Sequence, residues 1–149
     1  MPEARGSGYH AAILEDWGYW GVTAHYMDEE FDTGAIIRCD RFPIPQDIVN
    51  RDLVALAHRK LLDLFKGVVD DLLCGKMLPC QQQGVGRYFS KKELEEGKII
   101  SFDDTDEMIK RKIRAYWNPP YTGASIIINR CRYTLVDDSM LRYISEHMI

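Results

Sequence analysis

The sequence predicts an α/β fold, and three observations carry that expectation. Two short β-rich runs, Val22 to Met27 and Ala35 to Arg38, flank a tight acidic loop. Further on, Leu53, Ala57, Leu61, Leu64, Val68 and Leu72 recur at a spacing of about 3.6, the mark of a long amphipathic helix. Near the end, Ala124 to Ile128 and Arg132 to Val136 read as two strands around Asn129-Arg130. A long helix that follows strands suggests an α/β layer rather than a β-sandwich.

Length and composition bound the rest. A chain of 149 residues makes one domain with a modest core. With 46% hydrophobic and 28% charged residues, folding is favoured over disorder. The net charge of −4 argues against a protein whose main affinity is for a nucleic-acid backbone. No apolar run approaches the roughly 20 residues that span a bilayer, so no membrane partner is expected. Nor does Met1-Pro2-Glu3-Ala4-Arg5-Gly6 read as a secretory signal. Cys39, Cys74, Cys80 and Cys131 form no CxxC pair, which predicts neither zinc nor a disulfide framework but reduced thiols in the cytoplasm.

Taken in order, Glu3 to Gly8 is loop-like and Tyr9 to Glu15 reads as a short helix. Trp17, Tyr19 and Trp20 are expected to pack in the core. The acidic loop holds Asp28, Glu29, Glu30 and Asp32, and Gly34 closes it. Phe42-Pro43-Ile44-Pro45 suits an extended edge, because proline cannot donate to a ladder. Asn50 or Asp47 is expected to cap the long helix, which should run from about Asn50 to Cys74 and stop at Gly75. Met77 to Gly86 reads as a surface connection and Arg87-Tyr88-Phe89 as a short extended piece. Ser90-Lys91-Lys92-Glu93 fits a capping box for a helix over 91–96. A second capping pattern, Asp104-Thr105-Asp106-Glu107, precedes a helix that must end before Asn118-Pro119-Pro120. The tail from Met140 is a final helix or strand.

Read without any relative, Asp32 is a turn-former and His25 a satisfied structural histidine on a strand, with ligand contact as its second reading. Trp117, Asn118 and Tyr121 suit contacts to a nucleotide base or its phosphates, because aromatic faces stack on bases. The equally weighted reading makes Trp117 and Tyr121 core at a helix-to-hairpin junction. Arg5, Arg87 and Lys91 read as surface ion pairs before phosphate contacts.

The segment Gly21-Val22-Thr23-Ala24-His25-Tyr26-Met27-Asp28-Glu29-Glu30-Phe31-Asp32-Thr33-Gly34-Ala35-Ile36-Ile37 closely resembles the signature of the folate-dependent formyltransferases. Ile113-Arg114-Ala115-Tyr116-Trp117-Asn118-Pro119-Pro120-Tyr121-Thr122-Gly123-Ala124 resembles the C-terminal part of the branch that formylates an amino sugar on a nucleoside diphosphate, commonly dTDP. Transfer-RNA formyltransferases share the Ile-Arg-Ala piece. Pro2-Glu3-Ala4-Arg5-Gly6 looks like the end of the family's preceding catalytic segment.

The resemblance implies a fold and a site. The fold would be the C-terminal part of a Rossmann-like core over 1–76, then a small helix and β-hairpin subdomain over 77–149. Asp32 would be the catalytic carboxylate, with Phe31, Asp32, Thr33 and Gly34 bordering 10-formyltetrahydrofolate as co-substrate. Trp117, Asn118 and Tyr121 would meet the nucleotide sugar, and no metal is implied. The family's asparagine and histidine lie just before the Pro-x-x-Arg-Gly segment, so the N-terminal half of the site is expected to be missing here. His10 and His25 do not stand at that histidine's motif position. Formyl transfer to a nucleotide-linked amino sugar is therefore the expected parent activity. A non-catalytic remnant or dimerising module, and a methionyl-tRNA enzyme, are the alternatives. A homodimer, or a separate N-terminal half, is the expected protein partner.

Overall fold

Short strands alternate with helices around one long helix in a computed structural model that describes residues 4–6 (backbone only), 8–30, 32–76 and 86–147. The long helix, α2 (Asn50–Leu73), has 24 residues and is about 36 Å long at the α-helical rise. Gly75, at φ 67°, ends the turn after it, because a left-handed residue stops a helix without a Cβ clash.

The apolar stripe on α2 is divided. Leu53, Ala57, Leu64 and Val68 are buried, whereas Leu61 and Leu72 remain exposed, as does Phe65. The stripe is broader than its cover: α2 packs on β2 (Tyr19–His25), β3 (Ile36–Pro43) and α1 (Tyr9–Leu14), and these reach only one side of it. The start of α2 also differs from expectation. Its N-cap is Val49, which makes no side-chain cap bond. Asn50 turns inward instead and donates from Nδ2 to the Ala115 carbonyl at 2.6 Å. Asp47 takes a left-handed φ of 57° and pairs with Arg114 at 2.9 Å. Both polar groups bind the distant α4 (Asp106–Tyr116) in preference to the local helix end.

Each sheet among the described residues has two strands. β1 (Ala4–Gly6) pairs in parallel with β4 (Arg87–Phe89). β2 and β3 are antiparallel, so β3 runs on through Pro43, further than the apolar run Ala35 to Arg38 suggests. β5 (Ser125–Ile128) and β6 (Cys131–Thr134) form the expected hairpin. Asn129 and Arg130 both adopt positive φ at its tip, so the turn takes the arginine that turn chemistry disfavours. A parallel sheet of several strands, the mark of a Rossmann layer, is not present among the described residues.

Two helix starts follow the sequence closely. α3 (Lys91–Gly97) has a complete capping box between Ser90 and Glu93. At α4 the Thr105 side chain accepts from the Met108 amide at 3.2 Å. The tail is helical, α5 (Asp138–His147). Of the early aromatics Trp20 is buried, stacked on Tyr9 at 4.6 Å, but Tyr19 is exposed. One core joins Ala12, Trp20, Phe42, Leu53 and Leu64 to Ile100, Ala115, Tyr116 and Ala124. Residues from both sides of the boundary expected at 76 and 77 thus share it. The connection over 77–85 and Phe31 lie outside the described residues.

Candidate functional site

The acidic loop is a closed hairpin end. The Tyr26 amide donates to the Ala35 carbonyl at 2.9 Å, which shuts the loop behind β2 and β3. Gly34 is packed so closely that a Cβ there would lie 1.7 Å from the Tyr26 carbonyl oxygen. No side chain fits, so glycine is a steric requirement. Asp28 is more than a solvated charge. Its carboxylate accepts from the Glu30 amide at 3.3 Å and from the Thr33 hydroxyl. These short bonds shape the loop in the manner of an Asx turn.

Asp32 stands at the loop's left-handed position, φ 59°. Aspartate tolerates that region better than most residues. Its Oδ1 lies 3.6 Å from His25 Nε2. The other ring nitrogen of His25, Nδ1, is 2.8 Å from the Tyr26 carbonyl. A carbonyl only accepts, so Nδ1 is the donor in that bond. The strand register explains how His25 comes to face the loop. Ala24 pairs with Arg38, but His25 pairs with Ile36, leaving Ile37 as an extra residue. A bulge of this kind bends its strand and re-aims neighbouring side chains.

The second sequence-predicted group opens on a cavity of about 600 Å³. Asn118 and Tyr121 line it together with Tyr9, His10, Asn50 and Tyr116 from the core, and with Lys91, Glu95 and Lys98 from the α3 region. Trp117 is not part of this wall. It is 8% exposed and meets Tyr143 edge-on at 6.4 Å. None of the described loop residues lines the cavity either. Thr33 and Gly34 therefore stay with Asp32, while Asn118 and Tyr121 belong to a separate concavity.

The cavity's polar groups are held by burial. The Lys98 side chain is only 8% exposed, and its Nζ donates to Glu95 at 2.6 Å. His10 is buried, stacked on Tyr116 at 5.5 Å and edge-on to Phe89 at 5.9 Å. Burial pushes the Tyr116 hydroxyl up to about 12, with the Glu95 carboxylate adding to the shift, so this wall is a neutral phenol at ordinary pH. The phenol rests against Gly97, where a Cβ would clash with its oxygen. At the residue that follows Lys98, the Ile99 carbonyl accepts from Lys112 at 2.9 Å, and Lys112 also donates to Asp104. The Lys112 hydrogen bond holds the Asp104 carboxyl below its usual range despite partial desolvation.

Sequence reading missed His10, Lys98 and Glu95 as wall residues. A buried lysine three residues after a glutamate is spaced like an ordinary helix-surface pair, and only tertiary packing distinguishes the two. Arg87, in contrast, makes the surface ion pair expected of it, with Glu15 at 2.6 Å. The side chain of Arg5 lies outside the described residues. Among the described residues no cluster of His, Cys, Asp or Glu could hold a metal ion. No described helix is long and apolar enough to cross a membrane. Cys39, Cys74 and Cys131 are free thiols; Cys80 lies outside the described residues.

No protein-family model matches the chain. It is 32% identical over 129 residues to a methionyl-tRNA formyltransferase of Janthinobacterium sp. (strain Marseille), a match covering 84% of this chain and 39% of the relative. It is 35% identical over 118 residues to the enzyme of that name from Acidiphilium cryptum, covering 78% of this chain and 38% of the relative. The chain thus spans about two fifths of these curated relatives, at 39% and 38%. In solved structures it resembles a 4-N formyltransferase from Francisella tularensis with TM-score 0.81 and 26% identity, over 91% of this chain and 57% of that one. It also resembles an N-formyltransferase from Helicobacter canadensis, solved with folinic acid and dTDP-3-aminofucose. That likeness has TM-score 0.74 and 28% identity over 87% of this chain and 48% of the other.

Proposed function

The chain belongs to the formyltransferase superfamily, and from that premise we propose that it forms part of an enzyme that moves a formyl group from 10-formyltetrahydrofolate to the amine of a nucleotide-linked amino sugar. The observation that carries this reading is the closed hairpin end that presents Asp32, flanked by Thr33 and Gly34, at the motif position of the family's catalytic carboxylate. Thr33 and Gly34 would border the folate, with Phe31 between Glu30 and Asp32 in sequence.

In this reaction the acceptor nitrogen bonds to the formyl carbon and the bond from that carbon to the folate nitrogen breaks. One proton leaves the attacking amine and one reaches the departing folate nitrogen. A carboxylate at the site of proton movement stabilises the cationic partner in the transition state. Asp32 would do this at its Oδ atoms. The cavity bordered by Asn118 and Tyr121 would take the nucleotide. Its phenol and imidazole faces suit a base, and the buried Lys98 ammonium suits an anionic oxygen.

The sugar acceptor is supported by the likeness to the Helicobacter canadensis protein and by the Ile113 to Ala124 segment. A second reading, methionyl-tRNA as acceptor, is favoured by the names of the curated relatives; the net charge of −4 weighs against it. The test is a formyl-transfer assay with the folate donor and either a dTDP-amino sugar or methionyl-tRNA. It is run on the chain alone and again with the Asn–His-bearing segment of a relative supplied in trans. Turnover on the sugar supports the first reading, and turnover on the tRNA alone replaces it with the second. No turnover in any arm leaves the chain as a non-catalytic binding module.

A further inference from the structure

We propose that His25 is the positioning residue for Asp32: the β2–β3 bulge turns its imidazole across the loop, the Tyr26 carbonyl fixes one ring nitrogen, and the other holds the carboxylate in place. This inference rests on the formyltransferase reading for its kinetic consequence, but its geometric part stands by itself.

Three features converge on the pair. The bulge leaves Ile37 unpaired and brings His25 opposite Ile36, at the last rung before the loop. Nδ1 meets the Tyr26 carbonyl at 2.8 Å, which sets both the tautomer and the ring orientation. Nε2 then faces Asp32 Oδ1 at 3.6 Å. With Nδ1 donating, Nε2 carries a proton toward Asp32 only as the imidazolium, so the contact is an ion pair in that form. The backbone of the loop is already held by the Tyr26 to Ala35 bond, by Gly34 and by Asp28. The Asp32 carboxylate, 61% exposed, meets His25 through Oδ1. His25 is 24% exposed and far better supported, so it is the partner that imposes the geometry.

The same distances decide against a catalytic role for His25 itself. Both ring nitrogens are engaged, one by a backbone carbonyl and one by the carboxylate. The imidazole therefore acts through Asp32.

The experiment uses isotope-labelled chain and three variants, His25→Phe, His25→Gln and Asp32→Asn. Phenylalanine keeps the ring bulk and removes both nitrogens, whereas glutamine keeps a donor. Long-range nitrogen spectra of the wild type should show a proton on Nε2 as well as on Nδ1, and a ring protonated at Nδ1 alone, whose Nε2 lone pair repels the carboxylate, overturns the proposal. His25→Phe should move the Asp32 carboxyl signal and speed amide exchange at Asp32 and Thr33 about tenfold, leaving Val22 and Leu53 unchanged. His25→Gln should restore most of that protection, and Asp32→Asn should move the His25 ring signals in return. An Asp32 carboxyl signal that ignores His25→Phe overturns the proposal, and so does a perturbation spread evenly into the core.

In the formyl-transfer assay His25→Phe should lower kcat about tenfold with the folate KM little changed, because a misdirected carboxylate costs rate rather than binding. An unchanged kcat also overturns the proposal. Absence of turnover in the wild type would remove the formyltransferase reading; the spectra still decide the role of His25.

Discussion

The acidic loop over 26–35 and the cavity wall over 116–123 are built by opposite means. The loop is closed by groups no more than ten positions apart. Tyr26 bonds Ala35, Asp28 bonds Glu30 and Thr33, and Gly34 fits against Tyr26. The cavity wall is assembled from α1, α2, the α3 region and the end of α4, with Asn50 reaching Ala115 across 65 positions. A locally closed turn keeps its shape while the core breathes; a wall made from four elements has no shape apart from the core. The functional reading thus joins a site half that is robust in itself to one that is only as stable as the whole fold.

The sharpest way to break this contrast is to strike the core directly. Leu64→Ala empties a fully buried position on α2 and should cost about 3 kcal/mol in urea denaturation. It should loosen the cavity while leaving the exchange protection of the Tyr26 amide in step with global stability only. Gly34→Ala should do the reverse. Its Cβ cannot coexist with the Tyr26 carbonyl, and the cost is about 2 kcal/mol. Hydrogen exchange should rise at the Tyr26 amide, with α2 amides little affected. Equal exposure of both regions in either variant would show that the loop is not autonomous.

Two smaller effects sharpen the same comparison on the cavity side. The shielded Lys112–Asp104 pair is tied to the Ile99 carbonyl next to Lys98, and Asp104→Asn should cost about 1.5 kcal/mol at neutral pH. The sign with pH follows from the lowered carboxyl. Its contribution is fully present above the ordinary value of 3.8 and is lost as pH falls through the lower folded value. The wild type should therefore lose more stability than Asp104→Asn between pH 5 and about pH 2, as read by thermal melts across that range. The smallest effect is at the capping box, where Ser90→Ala should cost about 1 kcal/mol and fray the first turn of α3, which carries Lys91. Its signature is a loss of amide protection at Glu93 with the acidic loop untouched.

The regions also differ in how far they were legible. Local chemistry was readable: the capping box at Ser90, the N-cap at Thr105, the stop at Gly75 and the turn at Asn129-Arg130 are all where short-range rules put them. Loop closure was readable too, because Asp and Gly announce turns. Expectations fail where a side chain has two partners to choose from. Asn50 reads as a cap and Asp47 as another, yet both bind α4, since a buried carbonyl and an arginine outbid a solvated helix end. Leu61 and Leu72 belong to the apolar stripe and yet lie exposed, because periodicity gives the direction of a face and not the width of its cover.

At the site itself, the amino-acid order alone determined the family signature, the crowding of carboxylates before Gly34 and the singling out of Asp32. It placed Asn118 and Tyr121 together, and those two do share a cavity. Only tertiary structure decided that Trp117 lies outside that cavity, that Lys98 and His10 complete the wall, and that Asp32 faces His25. The physical reason is distance along the chain and the register between strands. Turn propensities act within a few residues and are written in the sequence. A one-residue bulge that swings His25 toward Asp32 exists only once β2 and β3 have paired.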